Sequence, residues 1–236
     1  LGLLDYMLKT FDAEGERDLV FIPVGINYDR VLEDRTLLRR LAAEPPRRGI
    51  VFAMRTTLGF VAKQAWHMLL GRWHRFGYAC VNFGSPLSMR DYVRRHHLDL
   101  RALDDAERHR QVAAVGQALM ADIGSIVPVL PVSLVATVLL RHPDHALSEL
   151  ELKSAVHELM IHLERCGAHV YIPRADRDYA ITVGVRMLTL RRLISERDGL
   201  YGANRDQVVV LNYYANSIAH LVECIGSVPQ AHVASA

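Results

Sequence analysis

Cysteine is scarce in this chain. Cys80, Cys166 and Cys224 stand alone, odd in number and without a CxxC pair. That excludes a disulfide framework and points to a reducing compartment. The 12 histidines show no zinc-type spacing with thiols; His157 and His162, five apart, share a helix face poorly, and His96-His97 reads as a loop pair. GxGxxG, Walker, GxSxG and HExxH patterns are all absent, so no nucleotide loop, nucleophile elbow or zincin helix is signalled. Charge of one sign is lacking too: 28 Lys and Arg face 26 Asp and Glu, a net charge of +2 that implies no overall electrostatic partner. The longest uncharged run, Ile123 to Leu140, has 18 residues, the lower margin for crossing a bilayer. Pro128 and Pro131 interrupt it, so it reads as a proline loop followed by a buried helix over Val132–Leu140. The start has no Met, no basic n-region and no cleavage pattern; the chain is expected to begin partway through a larger protein.

What is present is an ordinary globular composition: 236 residues, 50% hydrophobic and 23% charged, enough for one large domain or two small ones. Leu1–Phe11 reads as an amphipathic helix. Leu19 to Ile26 is an apolar, β-branched run that reads as a strand. Pro23 inside it removes a ladder donor and belongs at an edge, a bulge or a site. Asp29–Leu41 reads as a helix, Glu44–Gly49 as a break, and Thr56–Trp73 as an amphipathic helix. The last packs on a sheet or, with Trp66, Trp73, Arg55 and Arg72, lies at a headgroup interface. Gly77–Gly84 is a second strand. Leu87–Val93 opens a helix, and Arg94–Leu103 looks loop-like. The texture then turns mostly helical, placing a boundary near residues 95–105.

Beyond it, Ala106–Asp122 is a helix. Ser148-Glu-Leu-Glu151 is a capping box opening a helix to about Arg165, with Leu147 and Leu152 as a hydrophobic staple and Gly167 as terminator. Ala180–Ile194 reads as a helix, Asp198–Asp206 as a polar turn, Val208–Leu211 as a short strand and Asn212–Ile225 as a closing helix. The Arg39-Arg40, Arg47-Arg48, Arg94-Arg95 and Arg191-Arg192 doublets read as solvated faces that also suit anionic ligands or headgroups.

Three segments, in order, carry a resemblance. Phe21-Ile-Pro-Val-Gly-Ile-Asn-Tyr-Asp-Arg-Val-Leu-Glu33 resembles the fourth conserved block of glycerol-3-phosphate acyltransferases. Gly77-Tyr-Ala-Cys-Val-Asn-Phe-Gly-Ser-Pro86 is similar to that family's Gly-x-x-x-Val-x-Phe-Gly-x-Pro strand. Gln207–Val222, with Tyr213-Tyr-Ala-Asn-Ser-Ile-Ala-His220, is similar to the Tyr-Tyr-x-Asn-x-Ile-Ala-His helix of the bacterial membrane-associated form. The family's His-x-x-x-x-Asp block is missing: no histidine here has Asp five residues on. Its second and third blocks are missing as well.

The expected fold is α/β: the resemblance makes residues 1–100 the C-terminal part of an acyltransferase-type α/β domain, while the pattern of the chain itself reads as a mainly helical domain over 101–225 and a small, loose, disordered tail over 226–236. The resemblance implies a parent enzyme that moves a fatty acyl group from acyl-CoA or acyl carrier protein to the sn-1 hydroxyl of glycerol 3-phosphate, with no cofactor. An upstream His would be the general base, and this chain alone would be catalytically incomplete. Ile22, Pro23 and Val24 would line an apolar approach for the acyl chain. Tyr28 and Glu33 would position the site, and Arg30 would meet a phosphate or face solvent. Tyr213, Tyr214, Asn216 and His220 would serve packing or membrane association. A phospholipid surface at the cytoplasmic side of the inner membrane, held peripherally, is the implied partner, and nucleic acid is not. The rival reading makes residues 148–211 a winged-helix-like module or a non-catalytic interaction domain. The acidic helix with Glu149, Glu151, Glu158 and Glu164 argues against nucleic acid, while Arg186, Arg191 and Arg192 argue for it.

Overall fold

A computed structural model of the chain describes residues 2–35, 37–38, 77–100 and 102–226, the last three by backbone only. The helix expected at Thr56–Trp73, the break at Glu44–Gly49 and the tail beyond Gly226 lie outside the described residues. The chain is a mixed α/β structure dominated by helices.

Helix α1 spans Gly2–Lys9. The apolar run that follows does form extended backbone, but as two strands, β1 (Val20–Phe21) and β2 (Val24–Tyr28), split at Ile22-Pro23. Each side pairs with a different partner. β1 runs antiparallel to β4 (Leu87–Ser88), and β2 runs antiparallel to β3 (Ala79–Phe83). Proline without an N–H sits where the partner changes, and its carbonyl still accepts from Gly84 N at 2.9 Å. Ser88 caps α2 (Met89–His96) through its hydroxyl. Leu87 therefore belongs to a strand rather than to the helix, and the helix continues through Arg94–His96, where a loop was expected. Helix α3 spans Asp105–Ser125, capped by Asp104. Its Val112 and Val115 close a small core with Leu8, Phe11, Met89 and Tyr92.

The larger core surrounds α4 (Pro131–Arg141), in which every residue from Pro131 to Leu139 is buried. A helix apolar all round belongs at the centre of a core, and no described helix is long and apolar enough to cross a membrane. Strand β5 (Leu147–Ser148) leads into α5 (Glu149–Arg165). The capping box forms as read, and both staple residues, Leu147 and Leu152, are buried. At the other end Gly167 has φ +82°. Its N–H reaches the Glu164 carbonyl (3.0 Å) and that of Ala168 reaches Leu163 (2.9 Å), a Schellman ending.

Helix α6 covers Arg177–Leu190 and stops earlier than the sequence suggested, because Ile194 opens a hairpin. β6 (Ile194–Arg197) and β7 (Leu200–Ala203) pair around Asp198-Gly199, both at positive φ, the requirement of a two-residue turn matched to strand twist. What read as a polar turn is thus partly strand. β7 also pairs with β5, giving the order β5-β7-β6. From α4 to β7 the chain thus runs helix, strand, two helices and a hairpin. Val208–Leu211 is not a strand but the first turns of α7 (Val208–Asn216). Its β-branched valines favour strands locally, yet Val210 and Leu211 are buried against α4 in a helical register. A break at Ser217-Ile218 separates α7 from α8 (Ala219–Gly226).

Candidate functional site

The segment from Asn27 to Leu38 ties β2 to the helical core, through polar side chains that a strand-to-helix link would not need. β2 alternates. Gly25 and Asn27 face inward, while Ile26 and Tyr28 face out. Gly25 is required by proximity: a Cβ there would lie 2.7 Å from the Ile126 carbonyl oxygen. Asn27 is buried, and its Nδ2 donates to the Pro128 carbonyl (2.8 Å) and to Ser217 Oγ (3.3 Å). Ser217 Oγ donates to the Tyr214 carbonyl at 2.7 Å. Its one proton is then used, so Ser133, 2.9 Å away, is the donor between the two serines.

Asp29 is 1% exposed. Leu130, at the N-cap of α4, has no side chain that can cap. Asp29 fills that role from 103 positions away: its Oδ1 accepts from Val132 N at 3.0 Å, while Oδ2 accepts from Tyr78 N at 3.1 Å. Burial pushes the Asp29 carboxyl up to about 6, outweighing those two amide bonds.

Helical backbone resumes at Asp34, and Leu37 N bonds the Glu33 carbonyl at 2.8 Å; the expected helix over Asp29–Leu41 therefore starts five residues late. Asp34 is 2% exposed and pairs with Arg191, which follows α6. Tyr214 of α7, also buried, donates its hydroxyl to Asp34 Oδ2 at 2.6 Å. The same hydroxyl accepts from Arg191 Nη1 (2.6 Å) and from Val31 N (3.1 Å). Burial pushes the Asp34 carboxyl up, but the bonds from Tyr214 and Arg191 more than offset it and hold it below the usual carboxylate range. The Tyr214 phenol is pushed up to about 12, by burial first and by the Asp34 carboxylate second.

The six residues expected to form a site wall distribute unevenly. Pro23 is buried against Gly84, while Ile22 is exposed and Val24 half-buried opposite Phe83. Ile26, Val81 and Phe83 continue that open apolar surface. Tyr28 borders a cavity of about 690 Å³ between β2 and α7, lined also by Val31, Val209 and Tyr213. Arg30 is half-buried close to Arg191, Tyr214 and Asp34. Glu33 is exposed. Tyr28 thus shares the outward face of β2 with Val24 and Ile26 and borders the cavity against α7, and Arg30 lies beside Tyr214 and Arg191.

Sequence reading missed Asn27, Asp29 and Asp34. Polar residues directly ending an apolar strand were the available signal, but nothing local says that they are buried. Tyr214, read as packing or membrane association, is a buried hydrogen-bonding hub. Asn216 borders the cavity, and His220 Nε2 lies 2.9 Å from the Gly124 carbonyl.

The arrangement defines a class: a small α/β segment whose strand end is locked into a helical module by buried polar groups. The matches are specific. The family described as glycerol-3-phosphate acyltransferase C-terminal region matches residues 66–234, and the chain belongs to that family. A glycerol-3-phosphate acyltransferase of Pseudomonas putida is 27% identical over 233 residues, covering 93% of this chain and 26% of the relative. One from Pseudomonas aeruginosa is 27% identical over 234 residues, with the same coverage. One from Xylella fastidiosa is 23% identical over 230 residues, covering 93% and 25%. The chain spans about a quarter of the length of these curated relatives. The family assignment favours the acyltransferase reading over the winged-helix-like, nucleic-acid one.

Proposed function

We propose that the parent enzyme transfers a fatty acyl group from acyl-CoA or acyl carrier protein to the sn-1 hydroxyl of glycerol 3-phosphate, giving lysophosphatidate for phospholipid synthesis. The hydroxyl oxygen attacks the thioester carbonyl, the C–O bond forms, the C–S bond breaks, and the thiol leaves with the proton. A general base from outside this chain takes the hydroxyl proton. This chain supplies part of an acyltransferase-type α/β domain and the helical module behind it. Ile22, Pro23 and Val24 give an apolar approach, Tyr28 and Glu33 position it, and Arg30 faces an anionic group. The enzyme works without a cofactor, as a peripheral protein on the cytoplasmic side of the inner membrane, facing phospholipid.

The observation that carries this reading is the meeting of the Phe21–Glu33 block with the Tyr213-Tyr214 helix, joined through Tyr214, Asp34 and Val31. Two segments matched separately to one family form one contact, as parts of one site would. The test uses the parent enzyme with labelled glycerol 3-phosphate, palmitoyl-CoA and phospholipid vesicles. Labelled lysophosphatidate is expected; its absence with both acyl-CoA and acyl carrier protein donors would reject the assignment. This chain alone is expected to give none.

A further inference from the structure

The β2–β3 pair is built the wrong way round for a sheet with one wet face. Such a sheet turns apolar residues to the core and polar ones to water. Here the inward positions are Gly25 and Asn27, paired with Asn82 and Cys80. Gly25 lies against the Ile126 carbonyl, and Asn27 and Asn82 donate to the carbonyls of Pro128 and Ile126 at 2.8 and 2.9 Å. The outward positions are Val24, Ile26 and Tyr28, directly opposite Phe83, Val81 and Ala79. None of these six side chains is charged. Phe83 is 73% exposed, and Ile26 and Val81 are each 49% exposed. Past Tyr28 the same surface continues across the cavity to Val209 at the start of α7, 64% exposed.

Polar groups inward and apolar groups outward is the pattern of a sheet whose second face is interior as well. A contiguous apolar surface of this kind marks a contact with another apolar surface, and a two-stranded sheet left open there is marginal by itself. A headgroup-facing surface would carry Lys or Arg among its apolar residues, and these positions carry none. The relatives indicate what lies against it. The chain spans 26% of the length of its Pseudomonas putida relative. The match to the family's C-terminal region starts at residue 66, after β2 and before β3, so the sheet joins a strand inside that region to one that precedes it. We infer that the outward face of β2–β3 is an internal interface of the parent enzyme, covered by an apolar face of the polypeptide outside this chain. The covering element reaches from Phe83 to Val209 and so holds the α/β part and the helical module at once. Its margin at Ile22 and Val24 is the apolar approach proposed above, for which the covering element is the opposite wall. The inference rests on the acyltransferase reading only for the existence of a longer parent.

The test compares maleimide labelling of Val81→Cys and of Val209→Cys in this chain and in the parent enzyme, in one buffer, with labelled peptides resolved from those of the native cysteines by mass spectrometry. Both introduced thiols should label about tenfold slower or more in the parent, because a covered thiol reacts only when its interface opens. Leu150→Cys, on α5 at a residue 78% exposed, should label equally fast in both. Phe83→Lys gives an independent reading. It should leave the urea midpoint of this chain unchanged, since the position is exposed, and should speed thermolysin cleavage of the parent about tenfold, since an unpaired charge is then buried. Equal labelling rates in chain and parent at Val81→Cys and Val209→Cys would overturn the inference. So would protection in this chain alone that grows with its concentration, which would make the occupant a second copy. Protection of the parent that appears only when phosphatidylglycerol vesicles are added would make it a membrane and overturn the inference as well. Labelling needs no turnover, so a parent that makes no lysophosphatidate but protects both thiols would reject the proposed function and leave this interface standing.

Discussion

Replacing Tyr214 with phenylalanine isolates the polar lock from the packing around it. The ring keeps its volume, its burial and its edge contact with Tyr213, at 5.4 Å between centroids, so the hydrophobic contribution is unchanged. The hydroxyl takes three hydrogen bonds with it: one to Asp34, one from Arg191 and one from Val31 N. Hydrogen bonds to charged groups contribute about 1.5–3 kcal/mol each. The full sum is not lost, because Asp34 keeps Arg191 and the Arg35 N–H (2.6 Å). A loss of about 2–3 kcal/mol is expected. With a urea slope of about 2–3 kcal/mol/M for a chain of this size, the midpoint should fall by about 1 M at constant slope. Because the folded Asp34 carboxyl is held below its unfolded value, its share of the stability is present above the ordinary Asp range and is lost as pH falls through the depressed value. The measurement is urea unfolding at neutral pH, followed by tryptophan fluorescence and far-ultraviolet circular dichroism. A midpoint within about 0.2 M of the original chain, a few tenths of a kcal/mol at that slope, would show that the hydroxyl is not a structural link.

Three further outcomes follow from the same geometry. Asp29 has a folded value of about 6, above its unfolded 3.8, so the folded state binds the extra proton and stability falls as pH rises across that window. The loss is about 2–3 kcal/mol across the window, read by urea midpoints from pH 4 to 7; Asp29→Asn should flatten the slope. Gly184→Ala should destabilise by about 1–3 kcal/mol, the usual result of overpacking. Its Cβ would stand 2.7 Å from the Pro131 carbonyl oxygen where α6 crosses α4, and thermal denaturation checks it. Cys80 is partly buried, its thiol pushed up by burial and by the Asp29 charge, whereas Cys166 is exposed. Maleimide should therefore label Cys166 several-fold faster than Cys80, as read by mass spectrometry of peptides, because the thiolate is the reacting form.

Local chemistry was legible wherever a few adjacent residues decide it. The capping box at Ser148 and the glycine stop at Gly167 were readable because cap and turn complete their own hydrogen bonds within a few positions, and the buried helix α4 because its apolar run leaves no face for solvent. Pro23 was readable as an interruption for the same reason. The errors fall where a distant partner decides. Val208–Leu211 carries strand propensity and becomes helix because α4 offers an apolar surface. Ile194 looked like a helix end and becomes strand because β7 supplies its ladder. For the six wall residues, the sequence named the segment but not its surroundings: Val24 and Tyr28 share the outward face of β2, while Arg30, beyond the strand, lies beside the lock.

The sequence by itself determined the family, through three ordered segments whose residue types survive without any knowledge of contacts, and it determined the elements whose ends are capped locally. Only the tertiary structure decided what the polar residues after β2 do. Asn27, Asp29 and Asp34 look like an ordinary solvated turn in one dimension. They become buried because their partners, Pro128, Val132, Arg191 and Tyr214, lie about 100 to 180 positions away. A buried polar group is tolerated only when it is hydrogen-bonded, and which group will supply that bond is settled by the packing of elements remote in the chain.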